Sequence, residues 1–152
     1  MEQQEHPLGL TLNRLSVAMG AEVTGLDIGM LNSPALGPAL HRALLMHQLL
    51  LLRGLDLNAD TFRRLSRQLG PIRPVPENLQ AEPGMPDVQR LSNLGADDIP
   101  TDVNPDPYSL FWHADGLSAR IPSRFTLLYA VRIPTHGGGR PTLLTCTPPA
   151  RH

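Results

Sequence analysis

Phe111-Trp112-His113-Ala114-Asp115-Gly116, followed by Pro122, the apolar run Phe125-Thr126-Leu127-Leu128-Tyr129-Ala130-Val131 and then Pro134-Thr135-His136-Gly137-Gly138-Gly139, is the stretch on which the reading of this chain turns. In an extended strand, residues two apart project to the same side. His113 and Asp115 are therefore expected to present an imidazole and a carboxylate together, with Ala114 facing away. One imidazole and one carboxylate make two thirds of a 2-His-1-carboxylate facial triad, the donor set that holds ferrous iron on one face and leaves positions open for co-substrate and oxygen. Phe111 and Trp112, just before the pair, are placed to wall it from bulk water. A His-x-Asp tripeptide arises by chance in about one chain in ten of this length, and its bland reading is a solvated pair or a cap. The surrounding residues decide between the two.

Downstream, Pro122 breaks the chain, residues 125–131 carry the clearest strand pattern in the sequence, Pro134 closes it, and the three glycines permit a tight or left-handed turn. These glycines lack the spacing of a phosphate loop, and no Lys-Ser or Lys-Thr follows them, which excludes a nucleotide loop there. Upstream, residues 1–7 read as a loose end. Residues 8–25 are strand-like, through Leu10, Leu12 and Ala21-Glu22-Val23-Thr24, with Gly20 and Gly25 at turns. Ser33 and Pro34 predict a helix start, and Leu36, Leu40, Ala43, Leu44 and His47 share one face of a helix over 34–47. Leu49-Leu50-Leu51-Leu52 before Arg53-Gly54 reads as a strand buried on both faces.

A second helix is expected over 59–69, capped by Asn58, with Phe62, Leu65 and Leu69 on one face, Gly70 past its end, and Arg63, Arg64 and Arg67 on a solvated face. Residues 71–86 hold five prolines and no periodicity, so they read as loop. Residues 88–92 alternate like a strand. Residues 93–109 return to loop, where Asp97, Asp98, Asp102 and Asp106 lack the spacing of a calcium loop.

Composition bounds the function. At 152 residues the length suits one domain, and a net charge of −1 gives no footprint for nucleic acid or an anionic membrane, leaving a small-molecule or protein partner. Cys146 is the single cysteine, so no internal disulfide forms, and an inert thiol is expected. The start of the chain lacks a basic segment followed by an apolar one, and the longest apolar run is far short of a span. No membrane association is expected, and the cytoplasm is the expected location.

Taken together, Trp112-His113-Ala114-Asp115, Pro122 seven residues on, the apolar run, Pro134 and Gly137-Gly138 resemble the TauD/TfdA family of iron(II)- and 2-oxoglutarate-dependent dioxygenases. Earlier pieces agree in order: Gly20-Ala21-Glu22-Val23-Thr24-Gly25, the helix ending at His47-Gln48, the strand to Arg53-Gly54 and the helix to Leu69-Gly70. The resemblance implies an α+β fold, the N-terminal part of a double-stranded β-helix, or jelly roll, with flanking helices. It also implies His113 and Asp115 as the first two Fe(II) ligands and 2-oxoglutarate as co-substrate. Oxygen would be consumed and oxoglutarate decarboxylated to succinate as a C–H bond of a small, anionic substrate of the taurine or aryloxyacetate kind is hydroxylated.

The chain departs from that pattern at its end. The family's second histidine ligand and its oxoglutarate-pairing arginine lie in a later half, and neither His136 nor His152 matches the distal ligand. The family's Asp-Thr after the double glycine is replaced by Gly139-Arg140-Pro141-Thr142, which leaves Thr142 a displaced counterpart of the threonine that contacts oxoglutarate. Residues 141–152 show no strand or helix period, and their back-translation, read one nucleotide earlier, permits a family-like continuation. The expectation is therefore a family portion over 1–140 followed by a frame-slip tail, truncated and inactive alone, with unpaired edges that make the isolated chain marginally stable. The alternative is a non-catalytic interaction module or pseudoenzyme that forms a homo-oligomer or pairs with a full-length homologue.

Overall fold

The computed structural model describes residues 4–5, 8–95, 97, 99–101, 111–133 and 142–144. They fall into two compact units, Met1–Gly70 with Tyr129–His152, and Pro71–Leu128.

The first unit is built on a four-stranded sheet in the order β1-β2-β3-β4, from β1 (Gln4–Glu5), β2 (Thr11–Arg14), β3 (Ala21–Thr24) and β4 (Leu50–Leu52). The alternation read at 8–25 produces an antiparallel pair in which Leu12 faces Val23, while Gly20 and Gly25 take positive φ of 96° and 86° at its turns. Leu12, Ala21 and Val23 point inward. Glu22 points outward to the Arg53 guanidinium at 2.9 Å. Residues 4–5, expected to be loose, add β1 to the margin of this sheet.

β4 lies parallel to β3, and the two are joined through a short 3-10 helix (Ile28–Asn32) and α1 (Leu36–His47), the long connection that parallel neighbours require. All three β4 residues are half-buried, not buried on both faces, because β4 is the outermost strand and cover falls short at the sheet's margin.

α1 begins two residues later than the Ser-Pro signal suggests. The Leu36 amide donates to the Ser33 carbonyl at 3.1 Å, so Pro34 sits within a turn that suits its fixed φ rather than in the first helical turn. Gln48, in the left-handed region, ends α1 and returns its amide to the Leu44 carbonyl at 2.7 Å. α2 (Ala59–Arg67) starts where expected, with the Asn58 carboxamide oxygen accepting from the Thr61 amide at 2.9 Å. Asn58→Ala should lower stability by about 1 kcal/mol in urea titrations, since this cap is the local partner of an otherwise orphan donor. Arg64 is not on a purely solvated face; it donates to Asn32 at the end of the 3-10 helix.

The core of this unit gathers Leu10, Leu12, Ala21 and Val23 from the sheet region, Leu31 from the 3-10 helix, Leu36, Ala39, Leu40 and Ala43 from α1, and Leu57 and Leu65 around α2. Each leucine side chain so buried contributes roughly 1.5–3 kcal/mol.

Residues 125–131, the clearest strand in the sequence reading, form no strand here. Their exposure alternates, with Phe125, Leu127 and Tyr129 half-buried and Thr126, Leu128 and Ala130 exposed, but no ladder pairs them. Side-chain alternation is a local property, whereas a strand also needs a neighbour. Tyr129 is held by its hydroxyl instead, which donates to the Leu55 carbonyl at 3.2 Å and accepts from the Leu57 amide at 3.0 Å, with the ring 6.0 Å from that of Phe62. Tyr129→Phe should cost about 1–2 kcal/mol by thermal or denaturant unfolding, because the amide of the buried Leu57 loses its partner.

The second unit carries a hairpin of β5 (Ala81–Glu82) and β6 (Met85–Gln89). β5 falls inside the stretch read as loop, and β6 starts three residues before the expected strand. The cause is Pro83-Gly84, with Gly84 at φ 74°, which turns Glu82 back against Met85 rather than merely interrupting the chain. Asp97 accepts from the Ile99 amide at 3.3 Å in a tight loop whose ends, Leu94 and Pro100, bridge; the other three aspartates of the 93–109 loop lie outside the described residues. No described side chain of Pro71–Leu128 is buried. Among the described residues no helix is long and apolar enough to cross a membrane.

Candidate metal centre

His113 and Asp115 come together, but not on a strand. Residues 112–114 have no regular structure, and a turn follows in which the Leu117 amide donates to the Ala114 carbonyl at 3.3 Å and the Ala119 amide to Gly116 at 3.2 Å. Gly116, at φ 65°, reverses the backbone directly after Asp115 in a conformation that side chains with a Cβ rarely adopt.

The geometry of the pair is specific. His113 Nε2 lies 3.4 Å from Asp115 Oδ1, and His113 Nδ1 lies 2.7 Å from the Phe111 carbonyl oxygen. A carbonyl only accepts, so Nδ1 carries hydrogen and donates, which in the neutral ring leaves the lone pair on Nε2. That lone pair and a carboxylate oxygen then face one another, an arrangement satisfied by a proton or a metal ion between them. Two ligands at about 2.1 Å from one octahedral dication, at right angles, stand about 3 Å apart. The observed separation is close to that, and the backbone bond to Nδ1 is the outer contact that orients a metal-binding imidazole.

Other expectations fare differently. Phe111 and Trp112 do not wall the pair: they are 75% and 69% exposed, and the His113 and Asp115 side chains are 42% and 50% exposed. Shielding aromatics need packing behind them, and this unit has no buried side chain among its described residues to supply it. Thr142 is exposed and belongs to the other unit. His136, Cys146 and His152 lie outside the described residues. Among the described residues no three His, Cys, Asp or Glu side chains gather as a metal site, so the donors present fit two positions of a metal's shell.

Sequence reasoning passed over Arg73, which it left in a generic proline loop. Its guanidinium donates to the Ile121 carbonyl, and its Nη1 lies 2.8 Å from where a Cβ on Gly116 would stand. Nothing in the local pattern marks it, because the contact spans 48 residues.

Comparison with known proteins bears on the family and the fold. The crystal structure of AAD-2 in complex with Mn(II) and N-oxalylglycine superposes with a TM-score of 0.50 at 20% identity, covering 74% of this chain and 38% of that one. The likeness extends to the fold, a jelly-roll-like arrangement of mixed helices and sheets, and the chain spans well under half the length of that neighbour. The profile of the taurine catabolism dioxygenase TauD, TfdA family matches residues 9–142, nearly the whole of the sequence. This chain belongs to the TauD/TfdA family.

Proposed function

We propose that the chain supplies the first part of an Fe(II)- and 2-oxoglutarate-dependent dioxygenase of the double-stranded β-helix type, with His113 and Asp115 as two of the iron ligands and a small anionic molecule as substrate. The observation that carries this reading is the Nε2-to-Oδ1 approach of 3.4 Å with Nδ1 anchored on the Phe111 carbonyl, in a chain that matches the family over 9–142. The N-oxalylglycine held by the AAD-2 structure differs from 2-oxoglutarate by an NH in place of one methylene, which favours the same diacid as co-substrate here.

When bound, the metal supplies oxygen activation coupled to decarboxylation of oxoglutarate. The chain's own part is to fix the imidazole tautomer and hold a carboxylate beside it. Thr142 is the proposed, displaced contact for oxoglutarate. The distal histidine and the oxoglutarate-pairing arginine come from sequence other than residues 1–140, and 141–152 is the product of a frame slip.

Two experiments test this. Resequencing the gene through codon 140 should uncover family-like sequence in a neighbouring frame; an intact frame without it removes the slip. Succinate release with Fe(II), ascorbate, oxoglutarate and oxygen is expected from the family's complete site and not from the 152 residues alone. A second reading, a non-catalytic module that pairs with a longer homologue, is favoured by the exposure of Leu128 and Val131 on an unpaired segment, at 76% and 86%. Co-purification with such a homologue without turnover would support it.

A further inference from the structure

We infer that Arg73 is a positioning residue that sets the turn carrying Asp115, and through it the approach of Asp115 to His113; the inference rests on the reading of that pair as metal ligands. Three contacts carry it. The Arg73 guanidinium donates to the Ile121 carbonyl, which fixes the far side of the loop that leaves Gly116. Arg73 Nη1 and Ser123 Oγ lie 2.8 Å and 2.5 Å from the position of an added Cβ on Gly116, so polar groups of two other residues occupy the space a side chain would fill beside Asp115. The segment after Arg73 is itself held, because the Val75 amide donates to the Pro86 carbonyl in β6 at 2.7 Å.

Arg73 thus bonds the far side of the ligand turn and lies against Gly116 at its start. With no buried side chain among the described residues of this unit, the shape of the turn rests on such polar contacts and not on a core. A guanidinium suits this role, since its planar fork presents several donors at once in fixed directions, and a bond from a cation to a carbonyl is stronger than one between neutral groups. The role is distinct from catalysis, because Arg73 is placed to act on the backbone at Gly116 and Ile121.

The test compares the wild-type chain with Arg73→Met, which keeps a flexible stem and removes every N–H. In the metal-free wild type, an NOE is expected between the His113 ring protons and the Asp115 methylene. Mn(II) titration should broaden the amide signals around residues 113–116 first. Arg73→Met should weaken the NOE and lower the apparent Mn(II) affinity about tenfold, the scale of losing an outer contact to a ligand. The signals of the sheet and α1 should stay in place. An unchanged NOE with binding within twofold of wild type overturns the inference. If the wild type shows no broadening that His113→Ala removes, the metal reading falls instead, and the NOE alone decides for or against Arg73. Should Arg73→Met fail to fold, Arg73→Lys decides by the same readouts: its single amine cannot reach the Ile121 carbonyl and the edge of Gly116 together, so wild-type behaviour there is equally fatal.

Discussion

Replacement of His113 by alanine should lower the affinity of the chain for Mn(II) or Fe(II) by at least about 100-fold, because losing an outer partner alone weakens metal sites 10- to 100-fold and His113 is a proposed ligand. The Nδ1 bond to the Phe111 carbonyl aims the Nε2 lone pair at the space beside Asp115 Oδ1. Without the ring, a single half-exposed carboxylate remains, which water competes with freely. Asp115→Asn should have an effect of the same order, since it keeps the shape of the side chain and removes the charge. As His113 and Asp115 are two proposed ligands of one ion, the double variant should be little worse than either single one, a non-additivity that separate surface sites would not show. Equilibrium dialysis or paramagnetic broadening measures all three. Equal binding by wild type and His113→Ala would remove the pair from the ligand set.

Gly37→Ala should destabilise the first unit by about 2 kcal/mol, against the usual sign for a helix. In an open helix interior the change gains roughly 0.5–1 kcal/mol, because glycine loses more backbone freedom on folding. Here Gly37 is buried in α1, and an added Cβ would press into the Gln68 carbonyl oxygen and stand 3.2 Å from its carbon. Those are backbone atoms at the end of α2, and Gln68 is also tied by a hydrogen bond from its side-chain nitrogen to the Leu31 carbonyl at 2.6 Å. Nothing flexible can yield, so the steric term exceeds the entropic gain. Urea unfolding gives the sign directly. A more stable Gly37→Ala protein would mean that α1 and α2 can part at this point without cost.

The features legible in the sequence are those that local chemistry decides. Asn58 caps α2 because its carboxamide reaches an amide three residues on, and Gly20 and Gly25 turn the chain because no other residue takes their φ cheaply. Residues 125–131 show where that limit lies: the period of two holds from Phe125 to Ala130, but pairing depends on a partner that no local pattern specifies. Pro83-Gly84 failed for the opposite reason, since prolines counted as loop markers hid a hairpin turn. In the site, His113-x-Asp115 was legible as a pair two residues apart. The proposed positioning by Arg73, which lies against the left-handed Gly116 and donates to the Ile121 carbonyl 48 residues on, left no trace in the pattern. The exposure of Trp112 likewise follows from what packs behind it, which composition does not record.

That every buried hydrophobic side chain described lies between Leu10 and Leu65 has a consequence in time. Amide hydrogens are released to solvent through openings whose free energies track burial. Those of Ala21–Thr24, in a strand flanked on both sides, should exchange last, while those around Asp115 and Gly116 should exchange orders of magnitude sooner. The chain would then keep two clocks, a slow one in the sheet and a fast one at the proposed ligands, and a metal that binds His113 and Asp115 should register first as a slowing of the fast clock.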